Sequence, residues 1–371
     1  MALLLETAQA RRVQPSQENV SLPSAIAQRA LHFHMRFLIL GCSLFAFSCT
    51  NGPSSGLDKK KGDGRAPPTI GDDDDDDGVG DDDDDDTTPP TIPLDDCPIP
   101  AGPRPWVYLD WVPPSEEFAF DDQGYLVNVD DGTDTIWRTP FGGPQELIGP
   151  YQAVEVAGTR IMLDGDLVVC NEWEGSLVRI GMDGSNEVLL GGLNSPNSVA
   201  IDDEGMVYVT SYDEVRRVDP LTGEMNLLKT VANSDLDGLT FSPDFQSLYF
   251  NHDDGGTIGV IELNADGEAD DIYTINTIDG WNELDGMNVD ECGNVYVLRT
   301  DGNIWRLLTD HTLELFMDLG AANPWTTSLN FGSGIGGWQR DHLYVMDRNG
   351  GMFDIDVGIN GKWEPHLPPV P

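Results

Sequence analysis

One unit recurs through this chain and limits what it can fold into. Residues 285–308, DGMNVDECGNVYVLRTDGNIWRLL, read as strand, tight turn, strand, turn, strand. The turn Asp290-Glu291-Cys292-Gly293 carries an Asp and a Gly, which supply side-chain-to-backbone bonding and a positive φ. Val295-Tyr296-Val297-Leu298 and Ile304-Trp305-Arg306-Leu307 follow, separated by Asp301-Gly302. β-Branched and aromatic runs between Asp/Gly turns mark hairpins. Copies aligned on the residue five before the turn Asp, or its equivalent, start at Glu116, Ala157, Asn197, Asp237, Asp285 and Thr327, with spacings of 40 to 48 residues. A period near 40–45 with about four strands per repeat is the mark of a β-propeller. The expected fold is therefore all-β, a six-bladed propeller of four-stranded blades.

The second strands agree from copy to copy, as in Leu167-Val168-Val169, Val207-Tyr208-Val209 and Leu343-Tyr344-Val345. The last copy is short of a fourth strand, and Trp106-Val107-Tyr108-Leu109-Asp110-Trp111 is spare at the front. That segment is expected to close the ring as the outer strand of blade six, leaving no open sheet edge between first and last blades.

Ahead of the repeats the chain changes character. Residues 1–34 hold Glu6, Arg11, Arg12 and Glu18 without a sustained apolar run, and read as an over-extended start. Residues 35–49 read as a lipoprotein signal: Met35-Arg36, an apolar stretch from Phe37 to Phe47, then Ala46-Phe47-Ser48-Cys49 with Cys49 as the lipidation site. The stretch is too short for a membrane span; an ordinary secretory signal is the alternative. Residues 50–104 form an Asp-rich linker with runs at Asp72–Asp77 and Asp81–Asp86. Such a segment cannot bury apolar surface, and its like charges keep it extended. The chain is thus expected to be exported and held to a membrane only by a lipid, in the periplasm or on the cell surface, with residues 105–371 as the propeller.

Charge and cysteines narrow the function classes. From Asp95 onward there are 49 Asp+Glu and 12 Lys+Arg, a net charge of −37. That argues against a nucleic-acid partner, whose phosphates need Lys and Arg, and suits cation binding or a salty medium. The cysteines (42, 49, 97, 170 and 292) lack zinc-site spacing. Cys97 and Cys292 can pair in an exported protein; free thiols, with Cys170 packed in a strand, are the alternative.

Propeller geometry places the six starting residues around one mouth of the central channel. Glu116, Asn197, Asp237 and Asp285 offer oxygen donors there, with no positive partner in the ring. Three carboxylates converging on an axis repel, which a hard divalent cation, Ca²⁺ first, relieves. Capping of the strand starts by Asp and Asn is the competing explanation. The Asp-x-x-Gly turns fall at the other end and read as hairpin chemistry. Gly332-Ser333-Gly334-Ile335-Gly336-Gly337 matches GxGxxG, but no helix pattern follows, so it is not a nucleotide loop. Trp173, Tyr212, His252, Arg299 and Arg348 occupy equivalent loops around the mouth and are candidates for substrate contact.

The ring residues, with Asp285-Gly286-Met287, Gly293-Asn294-Val295-Tyr296-Val297 and the final copy from Thr327 to Gly332, resemble the senescence-marker-protein/gluconolactonase family over about residues 116–358. The resemblance implies calcium-dependent lactonase activity on a small-molecule substrate. In that family a blade-one Glu, a blade-four Asn and a blade-five Asp hold a divalent cation beside a blade-three Asn. These positions fall on Glu116, Asp237, Asp285 and Asn197, and the non-ligand position of blade two falls on Ala157. The resemblance implies Asp285 as general base, Glu116 and Asp237 as further ligands, and Asn197 as substrate-orienting. The chain departs from the pattern in Asp237, where the family has Asn, and in Ser195, where sugar-lactone hydrolases carry Arg. Glu117 adjoins Glu116, so the blade-one ligand is either of the two. A non-catalytic propeller binding a protein or glycan is the rival reading.

Overall fold

The computed structural model describes residues 97–98, 105–130, 135–150, 156–232, 234–253, 255–279 and 283–368. The expectations for residues 1–34, for the signal at 35–49 with Cys49, and for nearly all of the 50–104 linker lie outside these residues. No helix among the described residues is long and apolar enough to cross a membrane.

Six four-stranded antiparallel sheets form a six-bladed β-propeller. The first, innermost strands are Phe118–Phe120, Val156–Ile161, Pro196–Ile201, Leu236–Phe241, Leu284–Val289 and Thr326–Phe331. Five blades are made from consecutive strands. The sixth takes Trp106–Leu109 as its outer strand, paired antiparallel with Met352–Asp356 in the register Trp106↔Ile355 to Leu109↔Met352. Trp106 and Tyr108 set their rings edge-on against Phe353 at 5.1 and 4.9 Å. The ring closes as the spare front segment suggested, two residues shorter.

Each second strand is covered on both sides, which is why it reads as an apolar run rather than an alternation. Leu167–Asn171 is buried at every position. The core is a set of clusters between neighbouring blades. Val127, Val129 and Ile136 of blade one, for example, pack on Val156, Ile161 and Val169 of blade two.

The Asp-x-x-Gly turns are hairpin chemistry. Asp121 Oδ1 accepts from Gln123 N and Tyr125 N, and Asp202 and Asp290 repeat the pattern two and four residues ahead. Gly124, Gly205 and Gly293 close these turns at φ of 84°, 87° and 85°, open to glycine without strain. The glycine-rich run 332–337 is a loop that delivers Trp338 into the junction of blades six and one, against Phe120 at 4.9 Å and Tyr344 at 5.1 Å. Cys97 pairs with Cys292 at the blade-five turn, and Cys170 is a buried free thiol.

The chain's end was not singled out from sequence. Residues 361–368 lie across the end of the channel that carries these turns. Lys362 N donates to Val289 O, and His366 Nε2 is 2.7 Å from Phe120 O. Arg160, Arg340, Trp363, Glu364 and His366 line the cavity beneath this cap.

Candidate functional site

At the opposite mouth of the channel, Glu116, Ala157, Asn197, Asp237, Asp285 and Thr327 line one pocket, one from each blade. The pocket holds about 240 Å³ of space, open solvent included. What brings these side chains together is a shared backbone irregularity. In blades two to six the first strand slips register against the second between the residue before the ring position and the residue two after it: Val156/Thr159, Pro196/Val199, Leu236/Leu239, Leu284/Met287 and Thr326/Leu329. A bulge of this kind re-aims a side chain that the regular pleat would direct into a sheet face.

The bulge also allows the blades to meet closely. The residue after the ring position is Gly158, Ser198, Gly238, Gly286 or Ser328. A Cβ on Gly158 would lie 2.5 Å from Asn197 O, and one on Gly238 would lie 2.6 Å from Asp285 O. Side chains from the second strands, and from the first strand of blade six, stitch neighbouring blades together. Asn251 accepts from Gly238 N at 2.9 Å and donates to Asp285 O at 2.6 Å. Thr210 Oγ1 accepts from Ser198 N at 2.8 Å, and Thr327 Oγ1 donates to Glu116 O at 2.6 Å. None of these contacts has a local sequence signal beyond the small residue after the ring position.

Blade one differs, with Glu117 where the others carry Gly or Ser. Glu117 accepts from Thr159 N at 2.9 Å and forms an ion pair with Arg160. Glu116 stands at the position equivalent to Asn197, since Phe118 pairs with Asn128 as Val199 pairs with Val209. Both glutamates line the pocket.

The expectation that the ring lacks a positive partner is corrected. Arg348, from the loop after the second strand of blade six, forms an ion pair with Glu116. The repeat already puts both residues at this mouth; what the structure adds is that their side chains meet. Electrostatics remain those of converging acids. Burial pushes the Asp237 carboxyl well above the usual range, and Asp253, Glu116, Asp235 and Glu117 push it further. Burial likewise raises Asp285, aided by Asp237, Glu116 and Glu117 and opposed by Arg348. Both residues keep some accessible surface facing the channel. Asp253, next to His252, is a contributor that the sequence reading passed over.

The rim candidates lie outside this pocket. Trp173 and Tyr212 are exposed on their loops, and His252 is half-buried. Arg299 is bound to Asp301 through bonds of 2.9 and 2.5 Å. Ser195, where the resembling family has Arg, donates to Glu172 at 2.6 Å. A second group of possible ligands, Asp341, His342 and Asp356, comes together at the other end of blade six, its ligand atoms within 4.8 Å of one another.

No protein-family model and no curated protein matches the sequence. Solved structures of like fold include a gluconolactonase from Xanthomonas campestris, at 19% identity and TM-score 0.57, covering 73% of this chain and 97% of that one. Regucalcin from Agrobacterium tumefaciens, described as a calcium-binding protein, is 16% identical with TM-score 0.57, covering 73% and 100%. Virginiamycin B lyase from Staphylococcus aureus is 14% identical with TM-score 0.51, covering 64% and 79%. The chain shares the propeller fold of these proteins.

Proposed function

We propose that the protein is an exported metal-dependent hydrolase that opens a lactone at the mouth of the channel lined by the acid ring. The observation that carries this reading is the meeting of one ring residue from each of six blades in one pocket, with two carboxyls raised by burial and mutual repulsion. A set of oxygen donors with surplus negative charge suits a hard divalent cation. Glu116, Asp237 and Asp285 would hold Ca²⁺, which supplies carbonyl polarisation and charge stabilisation when bound.

The chain's own residues have separate parts. Asp285 takes a proton from the attacking water at its carboxylate. Asn197 orients the substrate through its side-chain amide. Arg348 and Thr327 hold Glu116 by its carboxylate and its carbonyl, so its direction is set before ligand arrives. The fold shared with a gluconolactonase and with regucalcin supports the reading at the level of architecture.

The Cys97–Cys292 disulfide suits an oxidising compartment, in keeping with export and a lipid anchor at Cys49. The test is hydrolysis of a lactone panel with and without chelator. Turnover is expected to vanish on chelation, return with Ca²⁺, and fall about a hundredfold in kcat/KM in Glu116→Gln, in the range set by losing one preorganised electrostatic group. A protein that binds Ca²⁺ in the ring yet cleaves no lactone would refute it.

The rival, a non-catalytic propeller that binds a protein or glycan, draws on the Ser195–Glu172 contact, which leaves no guanidinium at that point of the rim.

A further inference from the structure

Residues 361–368 roof a cavity at the end of the channel away from the acid ring. It holds about 740 Å³ of space, open solvent included, in the size range of small-molecule sites. Backbone bonds fix the roof. Gly361 N donates to Arg340 O at 2.8 Å, Lys362 N to Val289 O at 3.0 Å, and Glu291 N to Asn360 O at 2.8 Å. A Cβ on Gly361 would lie 2.2 Å from the Phe331 Cβ, so glycine is what lets the chain seat there. Trp363 Nε1 donates to Leu367 O at 3.2 Å and closes the roof on itself.

The lining is apolar with a few charged groups. Ile161, Leu163, Ile201, Phe331, Trp363 and Leu367 supply hydrocarbon and aromatic surface. Asn288 Nδ2 donates to Asn330 Oδ1 and Asn330 Nδ2 to Phe118 O, each at 2.7 Å, so these lining amides serve the fold. The charges do not cancel. Lys362 pairs with Glu364 at 2.7 Å, and Arg160 pairs with Glu117. Burial pushes the His366 pKa down, which leaves the ring neutral on Phe120 O, with Asp122 acting on it from outside the lining. Arg340 is left over. Its half-buried guanidinium makes no hydrogen bond or ion pair among the described residues. Glu291 and Glu364 act on it only through space, and Glu291 already accepts from Asn360 at 3.0 and 3.2 Å. Burial outweighs both and holds Arg340 below the usual arginine range. Arg160 engages only its Nη1, with Glu117 and the Thr159 carbonyl. Both arginines therefore line the cavity with donors to spare. A partly buried cation without a counter-charge is costly, and a hydrogen-bonded anion relieves that cost.

We infer that this cavity binds a small monocarboxylate with a hydrocarbon or aromatic body, its carboxylate on the Arg340 fork and its body against the apolar walls. A planar guanidinium meets a carboxylate with two parallel N–H bonds. One left-over positive charge matches one negative charge. A dianion such as phosphate brings a second charge into a cavity that already holds Glu364, and it gains nothing from the apolar walls. The cavity is separate from the acid ring, so this inference stands or falls apart from the hydrolase reading.

The test is calorimetry at neutral pH on the full chain stripped of divalent cations, so that no metal in the ring competes for the carboxylate. The probes are benzoate, acetate, benzyl alcohol and inorganic phosphate. Benzoate is expected to bind at least about tenfold tighter than benzyl alcohol, the effect of a hydrogen bond to a charged group. It should also bind tighter than acetate, which lacks the body, and phosphate should not bind measurably. Arg340→Gln should remove the advantage of benzoate over benzyl alcohol. Arg340→Lys should keep part of it, since the charge stays and the fork is lost. Leu163→Ala, on an exposed part of the wall, should weaken benzoate severalfold and leave acetate unchanged. Thermal melts of all three variants should stay near wild type, because these side chains carry none of the bonds that fix the roof. Equal binding of benzoate and benzyl alcohol, undiminished benzoate binding in Arg340→Gln, phosphate binding as tight as that of benzoate, or no binding of any probe would overturn the inference.

Discussion

The two ends of the propeller channel are furnished with the same residue, aspartate, in different surroundings. At the capped end, Asp121, Asp202 and Asp290 each accept two backbone N–H bonds inside their own turns. Asp290 also accepts from Asn294 Nδ2 at 2.8 Å and Tyr296 OH at 3.1 Å. In the cap, charged partners take the place of backbone donors. Burial alone would push Glu364 up, yet Lys362, His366 and Arg160 hold it below the usual carboxylate range. At the open end, Asp237 and Asp285 face each other and Glu116, and both are pushed up. Residue type and approximate spacing match at the two ends; what differs is whether donors surround the carboxylate. One end uses aspartate to build the fold, and the other gathers it into a ring of converging acids.

Substitutions should separate the ends. The largest effect is expected from Asp290→Ala, which strands buried donors on Cys292, Asn294 and Tyr296; a loss of about 3–5 kcal/mol should be read by denaturant unfolding. The folded fraction should still bind Ca²⁺ normally, since the turn lies at the far end.

Asp290 also has a pH signature. Burial raises its carboxyl to about 6, against 3.8 for an unperturbed group. Between these values the native state binds more protons than the unfolded chain, so this group's contribution to stability falls as pH rises from about 4 to 6. The drop should approach about 3 kcal/mol and be absent in Asp290→Asn, as stability measured across that window will show.

Gly238→Ala places a Cβ 2.6 Å from Asp285 O and 2.8 Å from Asn251 Nδ2. The overpacking should cost about 1–3 kcal/mol, and unlike Asp290→Ala it should weaken Ca²⁺ binding, because it forces two ring blades apart. Asp237→Asn should give the smallest change and of the opposite sign. Removing one of the converging charges is expected to stabilise the metal-free protein by about 1 kcal/mol while lowering Ca²⁺ affinity. A destabilised Asp237→Asn protein would mean that this carboxylate is structural like those of the capped end.

Most of the architecture was legible because a propeller repeats. Six copies of one apolar strand pattern fixed the blade count, and a missing strand at one end matched a spare one at the other. The ring followed from the same period, since residues at equal phase reach the same mouth. The bulges behind the ring were not legible, because register depends on partner strands and not on local composition. The period put Glu116 and Arg348, and Asp237 and the His252 loop, at one mouth, but which side chains meet there depends on loop conformation and was not legible. The cap at 361–368 was missed because Gly-Lys-Trp-Glu-Pro-His carries no strand or helix pattern; its order comes from tertiary partners such as Val289 and Phe120.

The central claim is that the open ring is a divalent-cation site, and calorimetric titration of Ca²⁺ into the full chain tests it most directly, with Asp285→Ala alongside. Weak binding to the Asp runs is common to both proteins and cancels in the comparison. The account predicts a single-site component present in the wild type and absent in the variant, with a thermal shift that grows as RT ln(1 + [Ca²⁺]/Kd), about 2.7 kcal/mol at a hundredfold excess over Kd. Superimposable isotherms, showing only weak multi-site binding in both, would contradict it and leave the ring carboxylates as strand caps.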